Sequence, residues 1–123
     1  MTMPDERLRA INWGGELLEQ ITLDDALPAS LISAAKRIAM TYPAPQTLDE
    51  WLQSGAAGLR PEWTTALFGA LDLFNEIRLS AHGSARTRSD LRCTLRHFPD
   101  KMTTRTMAQM PTLHEWLQRP EKK

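Results

Sequence analysis

The sequence predicts an all-α protein. The expected architecture is a compact helical bundle of two tandem duplicated units, pseudo-twofold related, each with two helices and a short capped, tryptophan-bearing helix. Three observations predict it. Apolar residues recur at helical spacing along the chain. Proline, glycine and Thr-x-x-acid signals punctuate it where helices start and stop. The pattern also repeats: a displacement of 56 positions carries Ile11 onto Leu67, Leu17 onto Leu73, Leu18 onto Phe74 and Ile21 onto Ile77. The same displacement carries Ala35 onto Leu91, Ala39 onto Leu95 and Tyr42-Pro43 onto Phe98-Pro99. A unit with one apolar face buries that face against its own copy.

The first helix has Thr2 as its expected N-cap and Pro4 in its first turn. Asp5 and Glu6 follow, where the positive end of the helix dipole favours acids. Leu8, Ile11, Leu18 and Ile21 mark its buried face. Gly14 and Gly15 interrupt it at a cost of about 1 kcal/mol each relative to alanine. That cost implies close approach of another backbone, or a kink. Pro28 opens a second helix running to about Met40, with Leu31, Ala35, Ile38 and Ala39 inward, and Tyr42-Pro43 ends it. Thr47 and Glu50 form a capping box for a short helix with Trp51 and Leu52 that stops near Gly55.

The cycle then recurs. Pro61 and Glu62 start a third long helix with Leu67, Ala70, Leu71, Phe74 and Ile77 inward, ending at His82-Gly83. Thr87 to Asp90 is a second Thr-x-x-acid box, ahead of a fourth helix that holds Leu91 and Leu95. Thr112-Leu113-His114-Glu115-Trp116-Leu117-Gln118 matches Thr47 to Gln53 at six of seven positions, but at a displacement of 65. The difference implies nine extra residues. The expected organisation is one domain over 1–123, with units at about 1–56 and 60–119 and an insert at about 100–108.

Composition narrows the class. Of 123 residues 41% are hydrophobic and 24% charged, with 15 bases against 15 acids, which excludes a disordered chain. No run approaches the roughly 20 apolar residues of a membrane span. Asp5, Glu6, Arg7 and Arg9 stand where a secretory apolar region would begin. A single cysteine, Cys93, leaves no internal disulfide and points to a reducing, cytoplasmic setting. Zero net charge hides an asymmetry. Met1 to Glu62 carry nine acids and five bases, whereas Trp63 to Lys123 carry six acids and ten bases.

The basic half concentrates arginine. Arg88, Arg92 and Arg96 lie four apart on one face of the fourth helix, with Arg86 just ahead. Arginine suits forked contact with carboxylate or phosphate, so the stripe is a candidate docking face for an acidic protein surface or a nucleic-acid backbone. Pairing with acids of the first unit is the alternative. Trp13 lies off the Leu8/Ile11/Leu18 stripe and is the tryptophan expected at the surface. Trp51, Trp63 and Trp116 are expected as core anchors. Met102, Met107 and Arg105 belong to a Met- and Thr-rich insert expected as a loose lid, which breaks the repeat and offers a second adaptable surface. Cys93 and His97 lie four apart without a second pair, so no metal site is expected and Cys93 is read as a small core residue.

No phosphate loop, Gly-x-Ser-x-Gly, His-Glu-x-x-His or calcium loop occurs. The expectation is a non-enzymatic protein without cofactors that binds a protein partner or a larger complex as an adaptor or inhibitor. A nucleic-acid-binding regulator using the arginine face is the alternative, and a homodimer stays open.

Pro4-Asp5-Glu6-Arg7-x-Arg9-Ala10, with Tyr42-Pro43 ending the second helix, resembles a group of small proteobacterial helical proteins that open Thr-x-Pro-Asp-Glu-Arg-Thr-Arg-Ala. The likeness spans about the first 45 residues and is echoed at Arg96-His97-Phe98-Pro99. This chain has Leu8 where the group has threonine, and it adds a second unit. The resemblance implies a bacterial cytosolic protein, often carried on a mobile element, and it brings no activity or site residue with it.

Overall fold

Proline sets where the helices begin. The computed structural model describes residues 2–109 and 113–119. Helix α1 (Pro4–Thr22) starts on a proline, whose missing N–H costs nothing in a first turn. Met3 is its cap residue, and the Met3 N–H donates to Glu6 Oε1 at 2.9 Å. Thr2 is therefore not the N-cap, and its hydroxyl hydrogen-bonds His97 Nδ1 at 3.1 Å instead. Helix α2 (Ala29–Ala39) follows Pro28.

Helix α3 (Pro45–Gln53) corrects an expectation. Pro45 opens it two residues ahead of Thr47, so Thr47 lies inside the first turn and Ala44 is the cap, without a side-chain bond. The fixed φ of proline outcompetes the hydroxyl cap. Gly55, at φ 75°, takes the left-handed conformation that follows the helix. Helix α4 (Pro61–Leu79) again begins on proline.

Helix α5 (Ala85–Leu95) is capped by Ser84, whose hydroxyl accepts from the Thr87 N–H at 3.2 Å. The expected Thr87-to-Asp90 box thus sits within the helix, and Arg86 belongs to it. The expected insert is a helix too. Asp100 Oδ1 accepts from the Thr103 N–H at 2.7 Å at the start of α6 (Lys101–Gln109). Thr112, the other expected cap, lies outside the described residues, and Leu113–Glu115 form a short 3-10 turn.

Every regular element among the described residues is helical, and the α-helices fall into two runs with the same lengths. The helices α1, α2 and α3 have 19, 11 and 9 residues, and α4, α5 and α6 again have 19, 11 and 9. The displacement of 56 that carries Ala29–Ala39 onto Ala85–Leu95 also carries Pro45–Gln53 onto Lys101–Gln109. No nine-residue gap intervenes before α6; the extra residues come after it.

Both long helices pack against both middle ones: α1 on α2 and α5, α4 on α2 and α5, with α6 against α4. Ile11, Leu18 and Ile21 of α1 meet Leu67, Phe74 and Ile77 of α4 in a fully buried centre that also takes Leu48, Leu91 and Met107. Phe74 and Phe98 pack edge to face at 5.5 Å. Gly14 answers not to a backbone but to two rings. A Cβ there would lie 2.8 Å from Phe98 Cε1 and would strike Tyr42, whose hydroxyl donates to the Ile11 carbonyl.

The last described segment closes the N-terminal end. Leu113 and Leu117 are buried, the Arg7 guanidinium donates to the Trp116 carbonyl at 2.8 Å, and Arg119 pairs with Asp49. No helix among the described residues is long and apolar enough to cross a membrane.

Candidate functional site

Helix α5 directs its arginines two ways. Thr87, Leu91 and Thr94 are buried, which fixes the inward face. Arg88 is turned toward the end of α4. Its Nη1 donates to the carbonyls of Ile77 at 3.2 Å and His82 at 2.7 Å, and its Nη2 to that of Arg78 at 3.2 Å. The last carbonyls of a helix have no partner within it, and Arg88 supplies one. Arg88 is therefore removed from the expected docking stripe. Arg92 and Arg96 are exposed, and Arg86 is mostly in solvent, its Nε 3.9 Å from Asp90.

Trp13 is the point where the remaining candidates meet. It is 40% exposed, unlike Trp63, which is buried, and Trp51 and Trp116, which pack on the core. The Arg9 guanidinium lies 5.9 Å from its ring centre, within cation–π range. Arg9 and Arg96 line one small groove with Trp13, Cys93 and His97. His97 Nε2 is held 3.1 Å from Glu6 Oε2. A second, longer groove runs from Trp13 between α1 and α5, past Glu16, Glu19 and Leu23 on one wall and Arg86, Asp90 and Cys93 on the other. A third leaves Trp13 toward α3, past Asn12 and Asp49.

Helix α5 is held against α1 by a buried carboxylate at the far end of the longer groove. Asp24 Oδ2 accepts from the Ser84 N–H at 2.9 Å and the Thr87 hydroxyl at 2.7 Å, and Oδ1 from the Ala26 N–H at 3.0 Å. Desolvation pushes the Asp24 carboxyl up, but these bonds together outweigh it and hold the group below the usual carboxylate range. Gln20 Nε2 adds a bond to the Thr87 hydroxyl at 3.1 Å. The separation of the two helices is thereby fixed.

The structure thus unites Trp13, Arg86 and Arg96 of the expected residues and disperses the rest. Met107 is fully buried, so it is a core residue and not a contact surface. Met102 is exposed, and Arg105 lies 5.8 Å over the Phe68 ring, both on α6, which packs against α4. Cys93 is exposed on the groove wall, against the expectation of a core position. Among the described residues no group of three or more His, Cys, Asp or Glu side chains is placed to hold a metal ion.

Sequence reasoning passed over Arg9, Glu16, Glu19 and Leu23. Arg9, Trp13, Glu16 and Gln20 follow one another at four, three and four residues, a line along one side of a helix. That signal was present. An exposed indole with guanidinium groups at one end and carboxylates at the other is equipped for noncovalent recognition, with apolar area at its centre and charge at its rim. Compared with known proteins, the chain matches no family model, no curated protein and no solved structure.

Proposed function

We propose that this is a non-enzymatic binding protein that docks another protein on the face where α1 meets α5, with Trp13 as the anchor. The observation that carries the reading is a tryptophan 40% exposed on a well-packed helix, on the wall of three converging grooves. Tryptophan and arginine are the residues most enriched where binding energy concentrates, and Arg9, Arg86 and Arg96 surround this one. The role is that of a cytoplasmic adaptor or inhibitor, in the bacterial, mobile-element setting that the N-terminal resemblance implies. Affinity purification from the native host with wild-type protein and Trp13→Ala is the test. The variant should fold as wild type and lose the co-purifying partner. Equal recovery of the partner would move the site elsewhere, first to Met102 and Arg105.

A nucleic-acid reading has one observation in its favour: Arg9 and Arg96 share a groove with an exposed aromatic, which suits a phosphate beside a stacked base. Co-purification of nucleic acid, released by salt in the way phosphate contacts are, would select it.

We also infer that the chain is a tandem duplication with pseudo-twofold symmetry. Equal helix lengths support this, as does burial that recurs at a displacement of 56: Ala10 and Ala66, Ile11 and Leu67, Leu31 and Thr87, Leu48 and Thr104 are all buried. On that alignment Trp13 corresponds to Gly69, and Thr94, opposite Trp13 across the longer groove, corresponds to Ile38. Ile38 Cγ1 would lie 3.3 Å from a Cβ on Gly69. One half therefore fills the position with isoleucine against glycine, while the other holds a bulky ring beside a small residue and stays open. Superposition of 6–43 on 62–99 tests the inference; a fit no better than that of unrelated helical hairpins would remove it.

A further inference from the structure

The longer groove has a charge that the docking reading does not use. Along α1 it runs from Trp13 to the helix end at Thr22, about 14 Å at 1.5 Å per residue. Leu17 lies along it buried, while Trp13 and Leu23 stand at its two ends, 40% and 83% exposed. Glu16 and Glu19 stand between these apolar ends and Asp25 follows Leu23 in the connection, all exposed and none in an ion pair among the described residues. The opposite wall adds Asp90, which lies near Arg86. Unpaired carboxylates between two exposed apolar side chains form the complement of a segment with an apolar stripe and basic flanks.

Resting on the docking reading above, we propose that the α1/α5 groove binds a cationic amphipathic helix of about three turns in its partner. The apolar stripe of that helix lies between Trp13 and Leu23, and its lysines or arginines meet Glu16, Glu19 and Asp25. A groove between two packed helices, open along its length, matches the way amphipathic helices are taken up by helical proteins. Opposite charges at the rim set orientation and speed of encounter, and the apolar contacts supply the hold. The Asp24 bonds to Ser84 and Thr87 make the groove a preformed one, because they fix the spacing of its walls.

The probe is a blocked 14-residue leucine/lysine peptide designed as an amphipathic helix, with a leucine/glutamate version of the same pattern as control. Binding is followed by calorimetry and by tryptophan emission on the full chain. The lysine peptide should bind and the glutamate peptide should not. Replacing Glu16, Glu19 and Asp25 together by Gln, Gln and Asn should weaken binding at least ~tenfold, and so should Trp13→Ala. Equal binding of the two peptides, no binding of either, or an unchanged affinity in the neutralised variant would overturn the proposal. The native partner separates this from the broader reading. If Trp13→Ala releases that partner while the neutralised variant keeps it, the docking face stands and the cationic helix does not. If both variants keep it, both readings fall.

Discussion

Asp24 shows how one side chain can position a surface that it does not itself present. Its carboxylate collects two backbone N–H groups and a hydroxyl from Ala26, Ser84 and Thr87, joining the α1–α2 connection to the start of α5. Asp24→Asn should cost about 1–3 kcal/mol, since buried donors lose a charged acceptor. The sign of its pH dependence follows from a folded-state value below the unfolded one. The stability it contributes is complete above the unfolded carboxylate value of ~3.9 and disappears as pH falls through the lower folded value. Unfolding curves of wild type and Asp24→Asn should therefore differ by a constant amount near neutral pH and converge in acid. Gly14 is a second case, with the opposite balance of local and tertiary terms. Alanine there would gain about 1 kcal/mol of helix propensity but collide with the Tyr42 and Phe98 rings. Gly14→Ala should be net destabilising by about 1–3 kcal/mol, read as a lowered Tm.

Among the elements, α5 divides its arginines by face. Arg88→Ala should cost about 1–2 kcal/mol, because the Arg78 and His82 carbonyls lose a charged donor, while that of Ile77 keeps the Ser80 N–H and hydroxyl. Arg92→Ala, an exposed change, should stay within about 0.5 kcal/mol. Chemical denaturation of the two variants side by side checks this. A combined reversal of Arg88, Arg92 and Arg96 to glutamate would damage the fold as well as the surface, so it is the wrong probe for docking. The same element shows where sequence reasoning reached its limit. Fourfold spacing placed Arg88 and Arg92 on one helix with Arg96 at its C-cap, but spacing says nothing about what lies beyond a side chain. The position of Arg88 was decided by the end of α4, which is near in space and eleven residues away at Ile77. The caps failed for a related reason. Thr47 and Thr87 have the residue pattern of a box, yet Pro45 and Ser84 compete for the same role two and three residues earlier. Lys101–Gln109 was missed as a helix because threonine is a modest helix former, and its order comes from Asp100 and from burying Thr104 and Met107. By contrast, the stripes of α1 and α4 were legible apart from Leu71, which is only partly buried, since burial at Ile11, Leu18, Leu67 and Phe74 imposes the period directly. Trp13 was legible for the converse reason: it falls off that period.

For the whole molecule, the two runs of helices have equal lengths, 19, 11 and 9 residues each, but do not carry equal surfaces. On the duplication proposed above, Trp13 corresponds to Gly69 and Thr94 to Ile38. Trp13 lies at the groove, outside the buried centre where Ile11, Leu18, Leu67 and Phe74 meet. Fold and surface can therefore vary independently, and Trp13→Ala should leave the melting temperature within a few degrees of wild type while removing the partner.

The closing segment carries a topological consequence. The Gln118 N–H donates to the Pro4 carbonyl at 3.4 Å, so residues separated by almost the whole chain are hydrogen-bonded neighbours. The exposed turn at Gly55 meanwhile has room for a side chain, since a Cβ there would meet nothing within 4 Å beyond its own neighbours. A short Gly/Ser bridge from residue 119 back to residue 2, with the backbone cut at Gly55, would re-thread the same bundle with its halves in reverse order. Exposed loops and adjacent ends are where such rearrangement is tolerated. The permutant should unfold in one cooperative step with the wild-type circular dichroism. A molten or multi-step transition would show that the order of synthesis, and not only the set of contacts, is needed to assemble this fold.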